Sequence, residues 1–466
     1  WRSLTYQAQP NLPLQLSPAS DVLAPFPPHE SHWQWDEGRF GSGLDLSIPL
    51  GGDSTQSRLR MGAKLETREA NLGGRRLGFT AYSSPSALFD HTLFRAPPES
   101  IFSLENLGYG GWLLTDWTLP QDSFTAEQFL QAYYLELEQR LSSRLSLLGG
   151  FRVEFLEQAV HLPMLGADST QVDTAYADFL PSLTLRWRQG GGVKTLFTVS
   201  RTLSRPDLQE LAPQPFVEPA TAWIRQGNPE LVRTTVWNVD WQTVWRNQQG
   251  MRFGISAFYK RLFNPIEAFA QIDNPPNGST LRLSYRNLTG DAHLAGVELE
   301  WRLPLWKDDS YLDAQEPRLE LQGNVVWSRS WASLQGQQDA WRETPQTNSR
   351  PLQGQIPWVL NTGLFYRFPQ SDWSLSGWLH YTGRQLVQVG SADYPDIWQA
   401  PRTVLDFQVA KTWRGPQRAK GGASTWTLRL DASDLLANDW RWYQEIPQTA
   451  GNQQPEERLV QRLNAA

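Results

Sequence analysis

The sequence has no cysteine, which excludes disulfide bonds and thiolate metal sites. It also has no apolar run of about 18 residues, so no transmembrane helix can be recognised in it. Lys and Arg number 42 against 48 Asp and Glu, giving a net charge of −6. That balance lacks the basic footprint that a nucleic-acid partner needs, and we expect no such partner.

Motifs of catalysis are missing as well. The chain contains no Gly-x-Ser-x-Gly elbow, no His-Glu-x-x-His pair and no phosphate-binding loop. His29, Glu30 and His32 cluster in a Pro-rich stretch, where exposed loop residues are a better interpretation than a metal site. We therefore expect a protein that is not an enzyme and that holds no cofactor and no metal.

What the sequence does have is a recurring alternation of polar and apolar residues. Glu298 and Glu300 are interleaved with Val297, Leu299 and Trp301, and the same pattern recurs in residues 251–260, 319–325 and 405–409. Successive side chains of a strand point to opposite faces, so each such strand has one apolar and one polar face. The 23 Trp and 13 Tyr fit aromatic girdles at two membrane interfaces. The pattern predicts an all-β, transmembrane antiparallel β-barrel; a soluble carbohydrate-binding β protein is the alternative.

Turn residues divide the chain into about 16 strands. We expect short turns on one rim, at residues 142–143, 190–192, 247–250 and 369–372, and long loops on the other, at residues 71–125, 205–233, 336–355 and 388–402. Residues 281–303 are expected to form one strand, with Leu281, Leu283 and Tyr285 facing lipid. A last partial strand is expected near Glu457.

A series of motifs in the middle of the chain is more specific than alternation. Residues 200–206 read Ser-Arg-Thr-Leu-Ser-Arg-Pro, residues 227–231 Gly-Asn-Pro-Glu-Leu, residues 264–267 Asn-Pro-Ile-Glu, and residues 295–300 Ala-Gly-Val-Glu-Leu-Glu. With Gly-Gly-Phe-Arg-Val-Glu at 149–154, this series resembles the C-terminal barrel half of a TonB-dependent receptor. The resemblance extends from about residue 125 to about residue 445.

The resemblance implies a bacterial outer-membrane receptor that captures a scarce nutrient, such as a siderophore, glycan or peptide, and imports it through a TonB-gated pore. Its partners would be outer-membrane lipid, a plug domain, the TonB complex and, as a further possibility, a surface lipoprotein or other envelope subunits. The family has a plug, a TonB box and about 22 strands. We expect residues 1–466 to be one partial barrel domain, with the plug and first strands absent from this chain. The alternatives are a plug-less structural subunit of a larger assembly and a passive porin.

Two sets of site residues follow from the predicted topology. Outer loops rich in aromatic and charged residues are candidates for ligand capture, because rings offer rigid contact area and charges add orientation. The ligand candidates are Phe216, Trp223, Arg225, Asp393, Tyr394, Asp396 and Trp398. Trp223 and Trp398 have an alternative role as membrane-interface anchors. The polar set expected to face the lumen comprises Asp240, Arg252, Glu298, Glu300 and Asp406.

Overall fold

The computed structural model describes residues 2–3, 6–7, 15–16, 29–50, 57–83, 85–86, 88–95, 101, 103–163, 170–217, 223–273, 280–306, 318–333, 349–368, 371–391, 394–415, 424–446 and 456–463. Most of these residues are in strands and very few in helices, which confirms the all-β prediction. None of the helices in the described ranges is long and apolar enough to cross a membrane.

The strands are β1 Arg2–Ser3, β2 Tyr6–Gln7, β3 Gln15–Leu16, β4 His29–Leu50, β5 Ser57–Ala81, β6 Trp112–Asp116, β7 Phe124–Arg140, β8 Leu145–Leu162, β9 Thr170–Gly190, β10 Val193–Ser204, β11 Pro215–Val217, β12 Ile224–Gln226, β13 Thr234–Arg246, β14 Arg252–Phe263, β15 Ile266–Asp273, β16 Thr280–Asn287, β17 Ala292–Trp306, β18 Leu319–Ser333, β19 Ser349–Arg350, β20 Trp358–Arg367, β21 Trp373–Thr382, β22 Gln385–Gln388, β23 Ile397–Gln399, β24 Arg402–Arg414, β25 Thr425–Ala432, β26 Trp440–Ile446 and β27 Glu456–Leu463. The helical turns are His91–Arg95, Leu104–Asn106, Pro120–Asp122 and Leu208–Leu211.

One antiparallel sheet of 17 strands contains all of the long strands. Hydrogen-bonded pairing continues from strand to strand through β4, β5, β7, β8, β9, β10, β13, β14, β17, β18, β20, β21, β24 and β25, with register shifts at Val193 and at Pro304. The antiparallel order places the short turns at one end of this sheet, which we name the turn rim. The long loops lie at the other end, the loop rim. The strands that flank the predicted short turns and long loops therefore end at opposite rims, as expected, while residues 218–222, 336–348, 369–370 and 392–393 of these connections lie outside the described residues.

The alternation gives this sheet two chemically different faces. On the polar face, Arg252 Nη2 donates to Glu300 Oε1 over 2.7 Å, and Arg60 Nη1 to Glu136 Oε1 over 2.7 Å. The opposite, apolar face exposes large side chains along its whole extent, including Phe40, Leu44, Phe151, Phe197, Trp241, Phe253, Leu299, Trp327 and Phe407. A sheet of this size that exposes so many rings is stable where lipid, not water, covers them.

Glycines let bulky side chains lie flat across the sheet at two positions on the polar face. A Cβ on Gly296 would lie 2.5 Å from the Phe258 ring, and one on Gly363 would lie 2.6 Å from Trp378. Each aromatic ring therefore packs directly over the neighbouring strand's backbone, and neither glycine can be replaced without displacing a ring.

Three sequence expectations need correction. The first concerns residues 281–303, which form two strands: β16 leaves the main sheet and β17 enters it. Asn287 fixes the break, since its amide donates to the carbonyls of Val232 and Asn264 over 2.8 and 2.7 Å. Leu283 is consequently buried, 4% exposed, rather than facing lipid. Alternation alone does not distinguish a membrane strand from a small buried sheet.

The other two corrections concern strand ends. Strand β5 continues to Ala81, so the loop expected from residue 71 begins at Tyr82, and β4 already starts at His29. His29, Glu30 and His32 therefore lie in a strand and not in a loop. The last strand expected near Glu457 is confirmed: β27 begins at Glu456 and pairs with β26 in a small separate sheet.

Adjacent residues on β14 provide a matched test of the two faces. Ile255 lies on the apolar face and Ser256, opposite Glu298, on the polar face. We expect Ile255→Arg to destabilise the folded protein in lipid bilayers by about 2–4 kcal/mol and Ser256→Arg to cost far less. Reversible urea unfolding in vesicles measures both. Equal losses for the two variants would contradict the assignment of the faces.

Candidate functional site

The loop rim carries a second layer of structure built from two four-stranded sheets. One sheet has the order β11–β12–β16–β15 and the other β22–β23–β26–β27. They meet where Phe269 bridges to Val389, with Ala270 N donating to Val389 O over 2.8 Å. We name these eight strands the rim layer.

Polar side chains hold the two sheets of the rim layer together. Gln353 accepts from the Ala268 backbone N over 2.9 Å and donates to the Val387 carbonyl over 2.7 Å, which ties one sheet to the other. Beneath it, Arg350 Nη1 donates to Glu267 Oε1 over 2.9 Å, with both side chains buried. Because each charge would be left unpaired and buried without the other, this pair holds the layer in one position.

The loop between β10 and β13 folds inwards over the polar face. Its helical turn, Leu208–Leu211, begins at Asp207, whose side chain accepts from the Gln209 backbone N over 3.2 Å. Leu208 and Leu211 are 1% and 0% exposed. They belong to a buried cluster with wall residues of β5, β7, β8 and β9, namely Ala70, Leu72, Phe124, Ala126, Val160, Leu162 and Val172. The upper part of the polar face is therefore apolar where this loop rests on it.

Ion pairs fasten both ends of the same loop to the wall. Arg205 at its start donates to Glu154 Oε2 over 2.5 Å, and Arg233 at its end donates to Asp178 Oδ1 over 2.5 Å. Arg205 also lies 3.7 Å from Asp178 Oδ2, so one carboxylate serves both ends. Asp178 is 2% exposed, and the Arg233 guanidinium also stacks over the Tyr176 ring at 4.3 Å. Paired charges at this depth fix the loop's position.

A pocket of about 370 Å³ lies between this loop, the wall and the rim layer. We name it the rim pocket; it is lined by Trp33, Trp35, Leu72, Phe124, Gln209, Ala212, Gln214, Arg225, Gly227 and Tyr285. Its size falls within the usual range for small-molecule sites, and its lining combines four aromatic rings with smaller apolar residues and a few polar groups, as in such sites.

The polar groups of the rim pocket are suited to a ligand with oxygen atoms. Gln214 is 5% exposed, and neither its Oε1 nor its Nε2 has a hydrogen-bond partner among the described residues. A buried amide without a partner is costly, which makes it a ready contact for a ligand. The Arg225 guanidinium adds a positive charge and lies 3.5 Å from the Tyr285 hydroxyl. Trp35 packs edge-on against Phe124 at 5.8 Å, which gives a rigid wall.

The structure places the first group of ligand candidates beside this pocket. Arg225 lines it, and Phe216 is paired with Arg225 across the β11–β12 ladder. The Phe216 side chain lies outside the described residues. Trp223, half-buried, directly precedes β12. The contribution of these residues to ligand capture stays a prediction.

The second group lies in the other half of the rim layer. Asp393 falls outside the described residues. Tyr394 and Asp396 shape a turn, in which the Asp396 carboxylate accepts from Gly390 N over 2.8 Å. Trp398 packs 3.7 Å below the Arg384 guanidinium. The two candidate loops are thus parts of one rim layer, although only Arg225 lines the pocket, and the ligand role of this group also stays a prediction.

All five residues expected to face the lumen lie on the polar face. The cross-strand registers place Asp240 beside Phe258 and Asp406 beside Trp378 on that face. Glu298 accepts from Asn324 over 2.8 Å, and Asp406 Oδ1 accepts from the Asp434 backbone N over 2.8 Å. These contacts tie neighbouring strands together.

Sequence reasoning missed most of the residues that line the pocket. Trp33 and Trp35 are two residues apart, a spacing that puts both rings on one face of a strand, and this signal was available. Gln214 and Tyr285 gave no signal, because only the inward fold of the loop and the separate position of β16 bring them together. No group of three metal-ligand residues occurs within the described ranges.

A family model described as TonB dependent receptor-like, beta-barrel matches residues 5–435. The chain belongs to this family. TonB-dependent receptor barrels are transporters of the Gram-negative outer membrane and not enzymes, and this chain is an outer-membrane β-barrel. No curated protein sequence matches it.

Solved structures share the fold of this TonB-dependent receptor barrel. The ferric-catecholate import receptor Fiu from E. coli K12 is 12% identical, with a TM-score of 0.56 over 87% of this chain and 51% of Fiu. The siderophore receptor PiuA from Acinetobacter baumannii is 11% identical, with a TM-score of 0.55 over 89% and 53%. The copper transporter OprC is 14% identical, with a TM-score of 0.54 over 95% and 57%. The chain thus spans little more than half the length of these proteins.

Removing the shared carboxylate tests the fastening of the loop. Asp178→Ala leaves Arg205 and Arg233 facing the wall with less counter-charge, and we expect it to destabilise the docked loop by about 3 kcal/mol. Hydrogen exchange of the backbone amides in residues 207–217 should then speed up, while exchange in β8 and β9 should not. Asp173→Ala, an exposed carboxylate on the same strand, is the control. Unchanged protection in Asp178→Ala would show that the ion pairs do not hold the loop.

Glu210 makes the loop sensitive to pH. Burial raises the pKa of the Glu210 carboxyl, and a hydrogen bond from the Asp207 backbone N opposes the shift. Since the folded loop favours the protonated form, its docking is strongest at low pH and weakens as pH rises through that pKa. Glu210→Gln keeps an acceptor for Asp207 N without the charge. We expect the loop of this variant to be better protected from hydrogen exchange than the unsubstituted loop at about pH 8. At about pH 4 the two loops should be equally protected. A variant that is less protected at both values would contradict this sign.

Proposed function

We propose that this chain forms the wall and the outer binding surface of an import receptor, and that the rim pocket is where its substrate is captured. The observation that carries the proposal is the pocket itself. It combines four aromatic side chains, the unsatisfied amide of Gln214 and the cation Arg225 at the loop rim of an outer-membrane barrel. Together these groups can contact both the rings and the oxygen atoms of a ligand.

The lining favours a particular class of substrate. Rings above and beside a cavity accept a flat aromatic group, while an amide and a guanidinium bind oxygen acceptors that carry negative charge. None of the described residues that line the pocket is a carboxylate, so this lining favours an anionic ligand over a cationic one. We infer an anionic substrate with a planar aromatic group, such as a metal chelate built from catecholate oxygens. Fiu, similar in fold, is a ferric-catecholate import receptor.

The other candidate residues take supporting roles in this proposal. Trp223 extends the aromatic surface next to Arg225, and Tyr394, Asp396 and Trp398 extend the rim layer on its far side. Phe216, paired with Arg225 in the β11–β12 ladder, and Asp393, which precedes Tyr394 in the chain, are assigned to the same capture surface. Asp240, Arg252, Glu298, Glu300 and Asp406 line the water-filled lumen below. Passage through that lumen requires a plug domain that rearranges when the TonB complex acts on it. A surface lipoprotein or another envelope subunit would dock on the rim layer.

Calorimetry on the full chain, folded in detergent, tests the proposal with the ferric complex of 2,3-dihydroxybenzoate as the probe. We expect Gln214→Leu and Trp35→Ala each to weaken binding by about tenfold, the equivalent of about 1.4 kcal/mol. Trp187→Ala, on the apolar face at the turn rim, is the matched control and should bind like the unsubstituted chain.

Two outcomes would overturn this assignment. One is that the probe binds equally to Gln214→Leu and to the unsubstituted protein. The other is that Trp187→Ala loses as much affinity as Trp35→Ala. If the unsubstituted chain binds no anionic aromatic chelate, the capture role fails, and the alternative of a structural barrel subunit takes its place.

A further inference from the structure

The apolar face carries positive charge near the loop rim. Along β18, the outward-facing residues are Trp327, Arg329 and Trp331, so an arginine stands between two exposed tryptophans. Arg329 is exposed, and no carboxylate within the described residues lies close enough to pair with it. A guanidinium that faces lipid without a counter-ion is costly unless something in the membrane supplies one.

The neighbouring strands build a recess next to Arg329. Across the sheet, Arg329 is in register with Ala295 on β17, and Ala295 with Tyr259 on β14. The small Ala295 therefore forms the floor between two long side chains. One row closer to the loops, His293 stacks on Trp331 at 5.3 Å and bonds to the Tyr259 hydroxyl over 2.7 Å. The recess has a fixed upper edge and is open to lipid.

This recess lies towards the loop-side edge of the apolar face. Below Ala295 the outward residues of β17 are Val297, Leu299 and Trp301. On β14, Tyr259 and Phe253 are six residues apart, which corresponds to about 20 Å along a strand and to about 15 Å of height at the tilt of such barrels. An apolar band of about 25 Å between aromatic girdles is the usual membrane contact of such barrels. Arg329 therefore lies in the upper part of this band, one row below Trp331, where a long arginine side chain can reach the lipid headgroups.

The positive charges on the neighbouring outward row, which includes His293 and Trp331, are only partly neutralised. Arg261, in register with His293, is neutralised by Asp291, whose Oδ2 accepts from Arg261 Nη2 over 2.5 Å. Arg201 lies farther along the same row, opposite Trp237, and within the described part of the chain its one hydrogen bond is donated to the Phe179 carbonyl over 3.4 Å. Three arginines with one carboxylate leave a positive strip in which Arg329 is next to the recess.

We propose that the patch formed by Tyr259, His293, Ala295, Arg329 and Trp331 is a binding site for the phosphate-bearing headgroup of an outer-leaflet glycolipid. The Arg329 guanidinium contacts the phosphate, because a planar fork of N–H donors matches its oxygens. The Tyr259 and His293 rings hold the sugar, and one acyl chain descends over Ala295 and Val297. This site lies on the opposite face from the rim pocket, so either assignment can fail without the other.

Native mass spectrometry of the full chain in detergent micelles tests this site, with lipid A as the probe. We expect one tightly bound lipid A, with Arg329→Gln weakening its binding about tenfold, as expected for the loss of a charge-assisted contact. Arg318→Gln is the matched control, since Arg318 also lies over a tryptophan, Trp306, but at the turn rim. Ala295→Phe fills the recess and leaves the charge in place, and it should weaken binding as well.

The site is refuted if Arg329→Gln binds lipid A like the unsubstituted chain, or if Arg318→Gln loses as much. Binding of lipid A without its phosphates at equal strength would show that charge is not recognised. Displacement of lipid A by an equal concentration of inorganic phosphate would show a site for free anions and not for a lipid. Unaltered binding by Ala295→Phe would remove the recess from the site.

Discussion

The structure depends on one constraint: inside a membrane, backbone N–H and C=O groups have no water to bond with. The antiparallel register that runs from β4 to β25 meets this constraint, because each long strand is hydrogen-bonded to neighbours over most of its length. Since the register also fixes which face each side chain takes, the same hydrogen bonds that satisfy the backbone separate the chain's polar residues from its apolar ones.

The polar face then provides the means to hold the loops. Carboxylates such as Asp178 and Glu154 are anchored on rigid strands, so an arginine at each end of a long loop can bind them in one geometry. Apolar residues higher on the same face, including Leu72 and Phe124, receive the helical turn. A loop that would be mobile on its own is thereby placed well enough to form a pocket, and the outward face is left free to contact lipid.

Much of this could be predicted from the sequence. Alternation in residues such as 297–302 predicted the barrel and both of its faces, and the short motifs identified the family. The registers also place Arg252, Asp240 and the other polar residues on one face, as the alternation required. These features depend on local periodicity, which a single sequence contains.

The pocket could not be predicted, because it depends on contacts between residues far apart in the chain. Gln214 looks like an ordinary loop residue until the ion pairs of Arg205 and Arg233 turn its loop inwards. The strand at residues 280–287 has the alternation of a membrane strand, and only the contacts of Asn287 show that it belongs to the rim layer. Tertiary contacts, not periodicity, decide both.

The inward fold of the loop is the central claim, and a cross-link tests it most directly. Because the chain has no cysteine, Leu72→Cys and Ala212→Cys together introduce a single unambiguous pair of thiols. Both positions line the rim pocket, one from the wall and one from the loop. A short bis-maleimide reagent should join them in the folded protein within a membrane, giving a species of altered electrophoretic mobility. Two thiols that react singly, with no cross-link between them, would show that the loop does not rest on the wall.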